Sequence, residues 1–267
     1  MPFTPTHVAA AIPIAWMCRW RVPLTALAIG SMVPDLPNFV PGLMSYHVTH
    51  SVPGILTHCM PIGLVLYYLF HGVFKHPLGA LFPESVTERL RPALERKIDF
   101  SVSRVLIVAI LVAVGASTHV FWDSFTHLGR WGVNTFPILR GVAIDWEKRP
   151  IRWYALLQHG SSIVLLPPMF FGFLFWVRRQ PRITPVRPRY RVPPMTVLVI
   201  LLTIIFSTLG YWRLVMLQHT EWLWIDALRV SVKRSGTCVL LIALIYSIWM
   251  HLVWWSEEHQ PAERRQL

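Results

Sequence analysis

The chain has 267 residues, 54% of them hydrophobic, with a mean hydropathy of +0.47 and a formal charge of +12. Apolar runs of about 20 residues, the length that crosses a bilayer, recur along it, and this excludes an ordinary soluble domain. The Lys and Arg residues fall between those runs, so the charge is a topology signal rather than a phosphate-binding footprint, and nucleic acid is not expected as a partner.

Seven apolar segments can be read in chain order. The first, residues 7–18, is short, carries Pro13, and reads as a short span or a re-entrant piece. The second covers 22–40 and breaks at Pro34-Asp35-Leu36-Pro37. The others cover 53–74, 102–122, 161–177, 195–217 and 237–255, several with Trp or Tyr near their ends as interfacial anchors. The expected fold is an all-α polytopic transmembrane bundle, one domain over 1–255 with a polar cytoplasmic tail over 256–267. With the N-terminus outside, sixteen of the 25 basic residues fall in inner connections, which favours N-out, C-in. Residues 178–194, with five prolines and six arginines, read as an extended cytoplasmic linker, and 75–101 as holding a short amphipathic surface helix. Cys18, Cys59 and Cys238 lie in apolar segments without paired spacing and read as buried free thiols. The N-terminus has neither a basic n-region nor a small-residue cleavage site, so no signal peptide is expected.

Polar residues inside such segments are costly, and by default they mark function. His119, Asp123 and His127 follow one another at intervals of four, which sets all three on one helical face, and imidazole with carboxylate on adjacent turns is a common metal-holding arrangement. Asp35 sits where proline interrupts an apolar run. An unpaired carboxylate there is very costly, no Lys or Arg is near it in sequence, and a metal or a histidine is its economical partner. His7 follows a helix start that Thr6 can cap. Ser51 after His50 reads either as a helix cap or as a residue that orients a ligand; His47 shares that face or lies in the loop, and His58 lies within two turns. Asn38 follows Asp35, His71 reads as interfacial, and Gln158-His159 precedes Ser161 and Ser162. His159 reads as a further ligand or proton carrier and Gln158 as an orienting residue, whereas Asp145, Glu147 and Asp226 read as solvated loop charges. On the seven-segment topology every candidate converges on the outer face, and His7 keeps its place there only if the first segment crosses.

His and Asp donors without thiolates suit Zn²⁺, or Mn²⁺ or Fe²⁺ at octahedral coordination, with one to three ions expected. A two-metal site would lower the pKa of bound water and clamp phosphoester oxygens.

The stretches Pro2-Phe3-Thr4-Pro5-Thr6-His7, Gly30 to Asp35, His50-Ser51, Thr118 to His127 and Gln158 to Ser162 together resemble a bacterial family of polytopic membrane proteins, domain of unknown function 4184. More distantly, the order His, Pro-Asp, His-Ser, His-x3-Asp is similar to membrane-bound metal-dependent hydrolases and zinc-dependent phospholipase C. Those hydrolases continue Pro-Asp with x-Asp-His, whereas Asp35 here precedes Leu36-Pro37-Asn38. The resemblance implies that His7, Asp35, His50, His119 and Asp123 hold metal. The expected function is hydrolysis of an amphipathic or lipid-linked phosphoester at the outer face of a bacterial cytoplasmic membrane. His127, His159 and Asp123 would serve the chemistry, and Ser51, Gln158, His47 and Asn38 would orient the ligands. A metal-dependent membrane lyase, isomerase or transferase, or a non-catalytic metal- or proton-handling protein, are the alternatives. Oligomeric state is not legible.

Overall fold

A computed structural model of the protein describes residues 3–40, 42–145, 150–183, 192–219 and 224–259. Glu147, residues 184–191 of the proline-rich linker and residues 260–267 of the polar tail lie outside the described residues, as does the side chain of Asp226. The fold is all-α, and five helices among the described residues are long and apolar enough to cross a membrane: Val52–Ala80, Val102–Thr135, Trp153–Arg179, Pro194–Gln218 and Val230–Glu258. Their surfaces agree with that reading. Large apolar side chains such as Phe170, Phe171, Leu202 and Phe206 stand exposed along them, as lipid contact permits and water does not.

The first two apolar segments differ from the five. A 3₁₀ turn over Thr4–Ala10 leads into α1 (Ala11–Met17), and α2 (Leu24–Met32) tightens into a 3₁₀ turn at Val33–Asp35 before the single turn Leu36–Phe39. Laid end to end, each reaches about 25 Å, short of the about 30 Å hydrocarbon thickness. Pro34 explains the change in α2, because it has no N–H for the helical ladder.

The chain forms two compact units. The first holds residues 1–37, 41–68 and 99–176. At its centre α2 lies against a long helix, which we label after α3 (Val52–Ala80) and α4 (Glu84–Leu94) as α5 (Val102–Thr126). The contact is close because the facing residues are small. A Cβ on Gly30 would meet the Val112 carbonyl, and one on Gly115 would meet the Leu27 carbonyl. Small residues that let two backbones approach are the usual means of helix packing in lipid, where no hydrophobic force drives association. Ala11, Ala15, Ala26, Leu27, Val108 and Val112 bury themselves around this crossing. After α5, the antiparallel pair β1 (Val142–Ile144) and β2 (Ile151–Arg152), with Val142 opposite Arg152, precedes α6 (Trp153–Arg179). The helix α6 begins eight residues before the fifth apolar segment and runs on through Pro167 and Pro168.

The second unit holds residues 38–40, 69–98 and 177–267, including α4 where the sequence suggests a surface helix, α7 (Pro194–Gln218) and α8 (Trp224–Glu258). In it Pro77 cannot donate to the Val73 carbonyl, and His251 Nε2 lies 3.0 Å from that oxygen. Tyr246 donates to the Pro77 carbonyl at 3.1 Å, and the α4 residue Arg89 donates to the carbonyls of Arg178 and Gln180. Of the three free thiols Cys59 is buried, Cys238 half-buried and Cys18, contrary to expectation, exposed.

Candidate metal centre

The α2–α5 crossing sets up the site. Because the helices approach so closely, the Ser31 carbonyl reaches His119 Nδ1 at 2.7 Å. A second histidine arrives from the turn Tyr46–Thr49: His50 Nδ1 lies 3.0 Å from the Tyr46 carbonyl and 3.1 Å from Thr49 Oγ1. A carbonyl only accepts, so each Nδ1 carries a proton and each ring turns its Nε2 inward. The two Nε2 atoms face one another at 3.2 Å.

Two carboxylates complete the group. Asp35 Oδ1 lies 3.7 Å from His50 Nε2 and 3.6 Å from His119 Nε2. Asp123 Oδ2 lies 3.5 and 3.4 Å from the same two nitrogens. Asp35 and His119 are 0% exposed, Asp123 1% and His50 4%, so these are not interfacial side chains resting in water. The other oxygen of Asp35 accepts from Thr4 Oγ1 at 2.7 Å. Asp35, His50, His119 and Asp123 thus form a buried group of four whose donor atoms lie within 4.8 Å of one another and which can hold a metal ion. The chemistry of the set fits a cation. Two imidazole nitrogens and two carboxylates are donors that a divalent cation can bridge, and a positive charge among them offsets the repulsion of the two buried carboxylates.

His7 stands beside the four. Its ring stacks on His119 with centroids 3.7 Å apart, and its Nε2 is 3.6 Å from Asp123 Oδ1. His7 Nε2 and both Asp123 oxygens are buried without a hydrogen-bond partner among the described residues, an expensive condition in an apolar interior. His7 holds this place from the short 3₁₀ turn Thr4–Ala10. Phe3 N–H and Thr6 Oγ1 both bond Ser162 Oγ on α6, at 2.9 and 3.3 Å, and these bonds fix the 3₁₀ turn. Thr6 therefore lies within the turn and ties it to α6 instead of capping a helix.

Residues 1–256 match the model of a family described as Domain of unknown function (DUF4184). The chain belongs to that family. No curated protein and no solved structure matches this DUF4184 chain.

The remaining candidates in the DUF4184 chain divide by position. His127 Nδ1 lies 3.2 Å from the Asp123 carbonyl and 3.6 Å from Asp123 Oδ1, while its Nε2 is 3.3 Å from Gln158 Nε2. With Nδ1 donating to the carbonyl and the Gln158 amide donating to Nε2, His127 is held at the edge of the group rather than inside it. His159 and His47 are exposed. Ser51 acts locally: its hydroxyl donates to the Val48 carbonyl at 2.8 Å and accepts from the Gly54 N–H at 3.1 Å, capping α3. His58 bonds the neighbouring Thr57, Asn38 is half-buried in the second unit, and Asp145 is exposed.

Four contributors were not evident as such in the sequence: Thr4, Thr49, Tyr46 and the Ser31 carbonyl. Tyr46 packs on the His50 ring with centroids 3.8 Å apart, and Arg130 stands 5.6 Å over the other ring while donating to the His50 carbonyl at 3.2 Å. Burial, with the negative charges of Asp123 and Asp35, holds the Tyr46 phenol above its ordinary range, so it stays a hydrogen-bond donor.

Proposed function

We propose that the protein is a zinc-dependent membrane hydrolase that acts on an amphipathic or lipid-linked phosphoester. The observation that carries the reading is the convergence of four buried donors, with both histidine Nδ1 protons already committed to backbone carbonyls. The five measured edges of the group run from 3.2 to 3.7 Å. A regular tetrahedron with such edges has its centre about 2.0–2.3 Å from each corner, which suits zinc bonded to nitrogen and oxygen. A divalent ion bound there would supply Lewis-acid polarisation of the ester and lower the pKa of an attacking water.

The chain's own residues do the rest. His50 and His119 offer Nε2, and Asp35 and Asp123 one oxygen each, while Thr4, Thr49, Tyr46 and Ser31 hold those donors in orientation. These four donors would hold the ion, and a reacting molecule would have to be accommodated beside them. The unpartnered His7 Nε2 and Asp123 Oδ1 mark the side on which it is met, and His7 is the group placed to take or give a proton there. His127, held by Gln158, supports Asp123 from the other side. The distant resemblance to membrane-bound metal-dependent hydrolases supports the same reaction class, and we place the site at the outer face of a bacterial cytoplasmic membrane.

The test is metal analysis of detergent-purified protein beside the Asp35→Ala/Asp123→Ala double variant. One to three equivalents of zinc, lost in the variant, are expected, followed by turnover of phospholipids or polyprenyl phosphates. Absence of metal from both proteins, even after reconstitution with zinc, would overturn the reading.

A further inference from the structure

A cavity of about 710 Å³ opens beside the site, between the N-terminal 3₁₀ turn, α5 and α6. Its size is that of a small-molecule site. Thr6 and His7 line it together with the apolar Val114, Phe121, Trp122 and Leu165, with Ser117 among them. Phe121 is 60% exposed on a helix apolar enough to cross a membrane, a surface that acyl chains can cover. His7 belongs to both structures: it lines the cavity and it is the residue whose buried Nε2 faces Asp123 without a partner.

We propose that this cavity is the tail-binding site of the substrate and takes one hydrocarbon chain of a membrane lipid, entering laterally between α5 and α6. Its polar linkage then lies at His7, next to the four donors. The identity of the occupant as substrate rests on the hydrolase reading, whereas the binding of a lipid chain does not. A water-soluble metabolite would find almost no polar wall to recognise it, and an acyl or prenyl chain needs none. Because the tail is held by apolar area alone, the site selects for chain and leaves headgroup discrimination to the polar end.

The experiment uses the full chain in phosphatidylcholine nanodiscs containing a small fraction of phosphatidylglycerol with a diazirine on its acyl chain. After illumination, labelled residues are mapped by mass spectrometry. Label is expected to concentrate at Phe121 and Leu165 over Phe206, which is exposed on α7. Ser117→Trp should fill the cavity and remove that label several-fold, and Ser117→Ala should retain it. Ser117 is exposed and, among the described residues, its hydroxyl bonds only the Ala113 carbonyl of its own helix, so folding and metal content should survive either change. Label at Phe121 no greater than at Phe206, or unchanged in a Ser117→Trp protein that retains its metal, would overturn the inference. Selective labelling in a protein that binds no metal would leave the cavity standing and remove the hydrolase.

Discussion

Thr4→Val separates a metal centre from a purely hydrogen-bonded polar cluster. The substitution keeps shape and removes one donor, the hydroxyl that lies 2.7 Å from Asp35 Oδ2 in a buried position. A hydrogen bond to a charged group is worth about 1.5–3 kcal/mol, and each 1.4 kcal/mol is tenfold in affinity. If Asp35 holds metal through Oδ1, losing the bond that fixes its orientation should weaken zinc binding about 10- to 100-fold, the usual range for a residue that orients a ligand. The assay is competition with a chromogenic chelator on detergent-purified protein, with Thr4→Ser expected to restore affinity because it returns the hydroxyl. Thermal stability of the metal-free protein is followed in parallel. A Thr4→Val protein that binds zinc as tightly as the parent would refute the assignment of Asp35 as an oriented ligand.

Gly30→Ala should drive a methyl into the Val112 carbonyl, cost about 1–3 kcal/mol of stability, and weaken zinc binding by pulling the Ser31 carbonyl from His119; Gly172→Ala, where nothing lies within 4 Å, should be neutral in both melting and metal assays. Ser51→Ala should cost about 1 kcal/mol as a lost helix cap and leave zinc affinity unchanged; a drop in affinity would show that Ser51 orients a ligand after all. Nitrogen and carboxylate ligands hold a metal only when deprotonated, so zinc affinity should fall as the pH is lowered, as calorimetric titration with zinc at several pH values would record.

Much of the architecture is legible in the sequence because lipid imposes its constraint on every turn of a spanning helix. Runs such as 102–122 leave little choice of structure, and the helix there ends only four residues later. The fourfold spacing of His119, Asp123 and His127 locates a polar face for the same reason. What the pattern hides is depth. Hydropathy does not report where proline or a 3₁₀ turn will divide an apolar run, as happens in residues 7–18 and 22–40. The parts played by Thr4 and Thr49 depend on tertiary approach between distant segments, and the Ser31 carbonyl carries no side-chain signal at all. The position of His159 is not legible for a local reason: α6 starts at Trp153, so the residue lies six positions into the helix, exposed, and not where the helix begins.

The bond between His119 and Ser31 joins residues 88 positions apart, and the Nε2 contact between His50 and His119 spans 69. During synthesis, Asp35 and His50 therefore enter the membrane well before α5 exists to meet them. The centre cannot preform on a nascent chain, and its completion waits for the docking of α5 on α2 through Gly30 and Gly115. Metal uptake at this crossing would then report assembly, and a bound ion would lock together segments inserted at different times.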